Sequence, residues 1–232
     1  MRWMLLAAAA SGCGRIGFEV VPDGAPDTVT CSAGTFCSIC EASDITVIHI
    51  GVGADDAVAD FLGMRVAQGC GTGQPIQTVG QNTAGVLDPT TNRPLLAAST
   101  LGVMGGGPFF NQGFAYLQMN DTPIYYDVVG SNLNVLARNG ALLFDMPKTS
   151  LSTSHDVGLL MVAKEPISGA TFLAASGWYS QGGIAAGDYF ATQIATMLQT
   201  SESGWYVFEW QDQDADMNPS APDTLTIVAS GP

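Results

Sequence analysis

Two kinds of hydrophobic pattern alternate along the chain from residue 44 onward. A short run of β-branched residues, Ile45–Ile50, predicts a strand. It is followed by Ala54–Ala67, where apolar residues recur every three or four positions, as they do on one face of a helix. The same spacing recurs in Phe109–Met119 and in Gly182–Thr200, and the second of these segments has the more continuous apolar face.

Apolar runs between these helices predict nine more strands. They are Ile76–Val79, Leu95–Gly106, Pro123–Val129, Asn132–Arg138, Ala141–Pro147, Asp156–Pro166, Ala170–Gly177, Gly204–Gln211 and Asp223–Ser230. Strongly apolar strands that alternate with helices indicate an α/β fold. The three short middle strands indicate an antiparallel insertion or edge. We therefore expect one α/β domain over residues 31–232, with a mixed, mainly parallel central sheet, packed helices and an antiparallel C-terminal hairpin.

The first residues have the pattern of an export signal. Arg2 precedes an apolar run that is too short to remain in a bilayer as a spanning helix. The Ala-Ser-Gly triplet before Cys13 resembles the lipobox of bacterial lipoproteins, in which the cysteine is lipidated and becomes the first mature residue. This predicts a signal peptide over 1–12, lipidation of Cys13, a tether over 13–30, and a bacterial envelope location: outer membrane, periplasm or cell surface. Ordinary secretion is the alternative.

Four further cysteines form a disulfide framework if the chain is exported: Cys31, Cys37, Cys40 and Cys70. Three pairings are possible. A helix packed back on its strand returns the chain to the strand's starting end, so Cys40 before the first strand and Cys70 after the first helix should be neighbours. We therefore predict Cys40–Cys70 and Cys31–Cys37, with 31–43 as the Cys-containing first segment. A zinc site is the alternative.

The charge of the chain limits its partners. The 232 residues carry a formal net charge of −14, with only 12% charged residues and 47% hydrophobic ones. This apolar content supports a packed core and not a disordered chain. An acidic surface repels phosphate backbones, so we expect no nucleic-acid partner. It suits cation binding or simple solubility.

Glycines mark the turns that follow two of the predicted strands. Gly105, Gly106, Gly107 and Pro108 lie between a strand and a helix, with Asn111 as a cap or cross-loop hydrogen-bonding residue. No Lys, Arg or Ser/Thr pair follows to hold a phosphate, so the pattern predicts close helix–strand packing, with a ligand-contacting loop as the alternative. Earlier, Gly51-Val-Gly-Ala-Asp-Asp lacks the third glycine of a dinucleotide fingerprint, and its aspartates are expected to be helix caps.

Three stretches resemble archaeal S-layer (surface-layer) proteins and related envelope proteins. They are LGVMGGGPFFNQGFAYL, LLMVAKEPISGATFLAASGWYSQGGIAAGDYFA and WYVFEWQDQDADMNPSAPDTLTIV, which occur in this order within residues 95–232. The resemblance implies a cell-envelope α/β module with a structural or binding role. It also implies that Gly105, Gly106, Asn111, Gly177 and Gly187 define the fold. Other envelope proteins or glycans are the partners that it implies.

The acidic turn between the last two strands has the spacing of a calcium loop. Oxygen-bearing side chains occupy positions 1, 3, 5, 7, 9 and 12 of a twelve-residue stretch: Asp212, Asp214, Asp216, Asn218, Ser220 and Asp223. Position 6 is Met217, where glycine is usual, and position 12 is the shorter Asp223. The sequence thus predicts either a Ca²⁺ site or a solvated hairpin loop.

The sequence gives little support to nucleophilic catalysis. His49 alternates with apolar residues of the first strand and is expected to be a core histidine. His155 and Ser180 could serve an exported hydrolase acting on envelope glycans or esters, but Ser180 lacks the glycine two residues before it that a nucleophile elbow requires. We expect a lipid-anchored envelope protein with a structural or binding role and no enzymatic activity, and the hydrolase is the alternative.

Clustered aromatic residues allow one more interpretation. Trp178, Tyr179, Trp205, Tyr206 and Trp210 could form a sugar-stacking patch. Alternation of aromatic residues along a strand more often marks its buried face, so we expect these side chains to contribute to the core.

Overall fold

The computed structural model describes residues 31–71, 73–220 and 222–232. The predicted signal peptide (1–12), the lipidation site Cys13 and the tether (13–30) lie outside the described residues. The strands are β1 Asp44–His49, β2 Ile76–Gly80, β3 Thr100–Gly105, β4 Ile124–Val129, β5 Asn132–Ala137, β6 Leu142–Pro147, β7 His155–Lys164, β8 Thr171–Gly177, β9 Trp205–Gln211 and β10 Thr224–Gly231. The α-helices are α1 Gly53–Cys70, α2 Gln112–Asn120 and α3 Ser180–Tyr189.

Seven strands form a central mixed sheet in the order β10-β9-β7-β8-β3-β1-β2. The pairs β1–β2, β1–β3 and β3–β8 are parallel, whereas β7–β8, β7–β9 and β9–β10 are antiparallel. The predicted α/β class, the mixed sheet and the C-terminal hairpin are therefore confirmed. The three middle strands, β4, β5 and β6, form a separate antiparallel sheet.

The expectation of a mainly parallel sheet is wrong. Only half of the pairs in the central sheet are parallel, and the small sheet adds two antiparallel pairs. The reason is the short connection from β7 to β8, where the backbone amide of Glu165 bonds the carbonyl of Ala170 to close a tight turn. Both strands are buried on both faces, so their continuous apolar pattern is the one that parallel strands also have.

The central sheet separates two hydrophobic cores. On one face, alternate strand residues such as Val47, Val103 and Leu160 pack against α1 and α3. On the other face, their neighbours such as Met104 and Leu159 pack against α2 and the small sheet. The small sheet thus covers a face of the central sheet that would otherwise expose its apolar side chains to water.

Two predicted helices have different ends in the structure. The second predicted helix was expected from Phe109, but α2 begins at Gln112 because Asn111 caps it. The third was expected to run to Thr200. Instead α3 ends at Tyr189 and continues as a π-helical turn and a 3-10 helix, within which Met197 has a non-helical backbone.

One disulfide closes a loop within the first segment, and a second ties that segment to the rest of the domain. Cys31 is bonded to Cys37, and Cys40 is bonded to Cys70, with Cα–Cα distances of 5.4 and 5.2 Å. These are the predicted pairs, and the pairing of all four cysteines excludes the zinc alternative. The Cys40–Cys70 bond joins the segment before β1 to the end of α1, as expected for a helix that returns along its strand.

The disulfides are compatible with an exported protein. Within the described residues, no helix has the length and apolar character needed to cross a membrane.

Candidate functional site

The carboxyl ends of the parallel strands β1, β3 and β8 meet at one edge of the central sheet, where ligands of α/β proteins commonly bind. In this protein the edge is filled by glycine turns. A Cβ on Gly105 would collide with the backbone carbonyl of Asp55 in α1, and a Cβ on Gly106 would lie 2.8 Å from the Asp55 carboxylate. The turn after β3 therefore lets α1 approach the strand closely.

Asn111 holds this turn from the side of α2. Its Oδ1 accepts a hydrogen bond from the Phe114 amide at 2.8 Å, and its Nδ2 donates to the Gly105 carbonyl at 3.0 Å. The side chain is fully buried. Asn111 thus acts as both the helix cap and the cross-loop hydrogen-bonding residue that the sequence allowed.

The two aspartates at the start of α1 do not cap it as predicted. The residue that precedes the helix is Val52, which makes no side-chain cap. Asp56 instead reaches back to the Ile50 amide, with 2.7 Å between Oδ1 and the nitrogen. Asp55 is buried beside the glycine turn, and desolvation raises its pKa although a hydrogen bond from Ser180 opposes the shift.

Asp156 is a second buried carboxylate at this edge, and the sequence did not single it out. Its side chain is completely buried, and it accepts hydrogen bonds from the backbone amides of Val157, Tyr179 and Gly182. Desolvation raises its pKa to about 7, although these amides favour the ionised form. Asp156 therefore binds the first turn of α3 to β7, in the way that an anion binds a helix N-terminus.

Glycines surround this carboxylate because side chains would not fit. A Cβ on Gly177 would lie 2.8 Å from Asp156 Oδ2, and a Cβ on Gly182 would lie 2.6 Å from the same atom. Gly187, one and a half turns further along α3, faces Val58 of α1 at 3.4 Å. Gly107 and Pro108 continue the turn after β3, and a Cβ on Gly107 would lie 2.8 Å from the Gly177 carbonyl.

A polar cavity of about 490 Å³ lies beside the turn, at the ends of β1 and β2. The predicted core histidine, His49, lies here. This prediction is wrong, because the ring is 27% exposed and pairs with Asp60 of α1 at 2.9 Å. Asp56 accepts from the Ile50 amide, and Gln81 donates to the Phe110 carbonyl, so His49, Asp56 and Gln81 all have partners within the protein.

The two residues of the hydrolase alternative lie on opposite faces of the central sheet. Successive residues of a strand point to opposite faces, and Leu160 of β7 packs on the α1–α3 side. His155, five residues earlier, therefore points to the other side, where it pairs with Glu209 of β9 at 2.8 Å. Ser180 lies at the start of α3, which packs on the α1–α3 side. The structure does not bring His155 and Ser180 together.

The acidic loop brings three of its six predicted ligands together. Carboxylate oxygens of Asp212, Asp214 and Asp216 lie within 4.8 Å of one another. Asp223 is turned away from this group. One of its oxygens accepts from the Gln213 amide at 2.9 Å, and the other from the Trp210 indole at 3.2 Å.

The remaining two predicted ligands hydrogen-bond within the loop. Asn218 donates from its side chain to the Asp216 carbonyl at 2.8 Å, and the Ser220 hydroxyl lies 3.5 Å from an Asp214 oxygen. Met217, at the position where glycine is usual, has a φ of 59° and thus adopts the left-handed conformation that glycine would supply. Desolvation raises the pKa of Asp214, and the neighbouring carboxylates, first that of Asp216, add to the shift.

The aromatic residues divide between the core and the surface. Trp210 is buried and Tyr206 stacks on Phe208, so these side chains belong to the core face of β9, as expected. Trp178 is partly buried, with the ring of Phe109 edge-on at 4.9 Å. Tyr179 is 39% exposed. Trp205 is partly buried against the second core, on the opposite face of β9 from Tyr206. The five aromatic residues therefore do not form one sugar-stacking patch.

No protein-family model matches the chain, and no curated protein matches it in sequence.

Proposed function

We propose that this protein is exported and anchored through a lipid on Cys13 to a bacterial cell envelope, where it has a structural or binding role. The pairing of the four cysteines of the domain carries the proposal, because such bonds persist in oxidising compartments outside the cytoplasm. The signal-like start of the sequence and the lipobox-like triplet before Cys13 support the same destination.

A binding or structural role is favoured over the hydrolase by the placement of the candidate groups. A serine nucleophile needs a base within hydrogen-bond reach. His155 is held by Glu209 on one face of the central sheet, whereas Ser180 begins α3 on the other face. The acidic charge and the resemblance to surface-layer proteins favour other envelope proteins or glycans as partners, and not nucleic acid.

The lipid anchor is tested by expressing the full chain in a bacterium fed an alkyne-bearing fatty acid. The protein should take up the label and fractionate with membranes, and Cys13→Ala should lose both properties. A double variant, Cys31→Ala with Cys37→Ala, is the matched control, since it removes cysteines but leaves position 13 intact. An unlabelled wild-type protein, or a labelled Cys13→Ala variant, would contradict the proposal.

We further propose that the acidic loop binds Ca²⁺ and stiffens the hairpin between β9 and β10. Asp212, Asp214 and Asp216 place carboxylate oxygens close together at the surface, where their mutual repulsion is relieved by a cation. Their alternate spacing is the one by which a short loop wraps oxygens around Ca²⁺. Ser220 lies next to Asp214 and could supply a further oxygen.

Calcium binding is tested on the purified chain by calorimetry and by thermal melting with Ca²⁺ or with a chelator. Millimolar Ca²⁺ should raise the melting temperature by more than about 1 °C, because an ion that binds the folded state stabilises it. Asp214→Asn should abolish this rise, and Asp127→Asn, on the small sheet, should keep it. An unchanged melting temperature in the wild-type protein, or a rise that survives Asp214→Asn, would overturn the assignment.

A further inference from the structure

A groove lies on the α1–α3 side of the central sheet, beside the β9–β10 hairpin. Its cavity of about 710 Å³ is lined by α1, by α3 and the turn that follows it, and by the β9–β10 hairpin. A volume of this size is typical of small-ligand sites. The lining residues that matter here are Phe61, Arg65, Asp188, Trp210, Asp223 and Leu225.

Arg65 supplies the positive charge of this groove, and its guanidinium is incompletely bonded. The guanidinium carbon lies 5.0 Å from the centroid of the Phe61 ring, and Nη1 donates to Gln68 Oε1 at 3.3 Å. Its Nε is buried without a hydrogen-bond partner. Among the ion pairs between described residues, none includes Arg65. A planar, partly desolvated guanidinium with free donors is a good partner for a carboxylate.

Asp188 supplies an unpaired negative charge to the same groove. Thr192 bonds its backbone carbonyl, but within the described part of the chain no hydrogen bond or ion pair engages its carboxylate. Desolvation raises its pKa. The other carboxylate of the groove, Asp223, is already occupied by the Trp210 indole and by the amides of Gln213 and Ser220.

An apolar cavity of about 260 Å³ adjoins the groove and shares Phe61 and Asp188 with it. Its remaining lining comes from small and aliphatic residues of α1 and α3, namely Ala54, Ala57, Val58, Ile184 and Gly187. The groove thus offers a cation, a carboxylate and an apolar recess side by side, with the carboxylate at the junction of the two cavities.

We propose that this groove binds a small zwitterion with one apolar side chain, either an apolar α-amino acid or a dipeptide of such residues. The ligand carboxylate bonds the guanidinium of Arg65, its ammonium pairs with Asp188, and its side chain enters the apolar recess. The groove thus supplies a charge opposite to each charge of the ligand, and Asp188 lines the apolar recess as well. The two side chains that carry the inference, Arg65 and Asp188, belong neither to the calcium loop nor to the lipid anchor, although Ser220 and Asp223 of the loop also line the groove.

Calorimetric titration of the purified full chain tests the ligand class without any substitution. L-Leucine and Leu-Leu should bind with dissociation constants between about 1 µM and 1 mM, as is usual for small ligands. Leucinamide lacks the carboxylate, N-acetyl-leucine lacks the ammonium, and glycine lacks the side chain, so each should bind at least about tenfold more weakly. The ratio of the leucine and Leu-Leu affinities shows whether the groove prefers the amino acid or the dipeptide.

Two substitutions connect the binding to the named residues. Arg65→Gln should weaken the binding of leucine at least about tenfold but leave the binding of leucinamide unchanged. Asp188→Asn should weaken the binding of leucine by a similar factor but leave the binding of N-acetyl-leucine unchanged. Lys164→Gln and Asp127→Asn, which remove charges outside the groove, are the matched controls. Circular dichroism checks that each variant is folded. The proposal is overturned if neither leucine nor Leu-Leu binds at about 10 mM, or if the amide and the acetylated compound bind as well as leucine.

Discussion

Asp156 accepts a hydrogen bond from the backbone amide of Gly182, with 2.7 Å between Oδ2 and the nitrogen. Through this bond the second residue of β7 holds the start of α3, although Asp156 and Gly182 are 26 residues apart in the sequence. The carboxylate is shielded from water, so its partners are fixed amides of the protein. The contact requires glycine at position 182, because a side chain there would occupy the space of the carboxylate.

We expect Gly182→Ala to destabilise the protein by about 2 kcal/mol or more, since overpacking a rigid junction displaces backbone. The new Cβ would lie 2.6 Å from Asp156 Oδ2 and 2.7 Å from the Val157 carbonyl. Gly187→Ala, in the same helix, is the matched control, because its Cβ would lie 3.4 Å from Val58. Urea denaturation measures both, and equal free energies of unfolding for the two variants would contradict the packing argument.

The buried carboxylate predicts a pH dependence of stability. The pKa of Asp156 is raised to about 7, chiefly by desolvation, so the folded state holds this proton more tightly than the unfolded chain does. The stability that protonated Asp156 contributes is fully present below about pH 4 and is lost as the pH rises towards 7, at up to about 1.4 kcal/mol per pH unit. Above pH 7 this group adds no further slope.

Asp156→Asn isolates this contribution from those of other acids. Asparagine does not titrate, so the variant should lose less stability than the wild type as the pH rises from 4 to 7. The slopes of the free energy of unfolding against pH should differ by the contribution of one proton, up to about 1.4 kcal/mol per pH unit. Its amide nitrogen would face backbone donors, which lowers stability by about 1–3 kcal/mol at low pH, where the wild-type carboxyl is protonated. This difference should shrink as the pH rises towards 7, because only the wild type then ionises a buried group. Urea midpoints measured from pH 5 to 8 provide the comparison. Parallel wild-type and variant curves would show that Asp156 is not the titrating group.

The two disulfides should contribute unequally to stability. Cys40 and Cys70 close a loop with a sequence separation of 30, whereas Cys31 and Cys37 are separated by 6. In the chain-entropy description the longer loop is worth about 3.5 kcal/mol and the shorter about 2 kcal/mol. Replacement of each pair by alanine, followed by denaturant unfolding, tests this order. A larger loss from the Cys31–Cys37 pair would contradict it.

Asn111→Ala should cost about 2 kcal/mol, because the buried Phe114 amide and Gly105 carbonyl both lose their partner. Asn120→Ala, at the exposed end of α2, removes a side-chain bond to the Tyr116 carbonyl and serves as the control, with an expected loss below about 0.5 kcal/mol. Thermal unfolding followed by circular dichroism measures both. Similar losses at the two ends of α2 would show that Asn111 is an ordinary surface cap.

Local patterns identified most elements of the fold but not how they pair. The β-branched run of β1 and the helical spacing of α1 each reflect the burial of a continuous face. Such a face produces a regular pattern of apolar residues that can be recognised in the sequence. The share of parallel pairs was overestimated because β7 and β8 are buried on both faces, as the strands of a parallel sheet are. The short link from Glu165 to Ala170 was the signal that favoured a hairpin.

The end of α3 was set by tertiary contacts. No Pro or Gly interrupts the sequence from Phe190 to Thr200, yet the helix changes geometry there. Ile194 and Leu198 are buried against the first core, and a Cβ on Gly69 of α1 would lie 2.7 Å from the Ala195 carbonyl. Packing of the chain under α1 therefore overrides its helical propensity.

The role of Asp156 could not be derived from the sequence. Its partners are the backbone amides of Tyr179 and Gly182. Every residue except proline has a backbone amide N–H, so the residue types at these positions do not reveal the contact. The charged groove presents the same difficulty, since Arg65 and Asp188 lie on different helices and meet only through the crossing of α1 and α3. The acidic loop, by contrast, was visible because its spacing is local.

The Cys40–Cys70 bond lies at the starting end of β1, and the buried aspartates lie at the opposite end of the same sheet. One end is therefore fastened covalently and the other by hydrogen bonds to carboxyl groups that are costly to ionise because they are buried. A reducing agent would loosen the first without touching the second, and mild alkali would do the reverse, so the two treatments should start hydrogen exchange from opposite ends of the molecule.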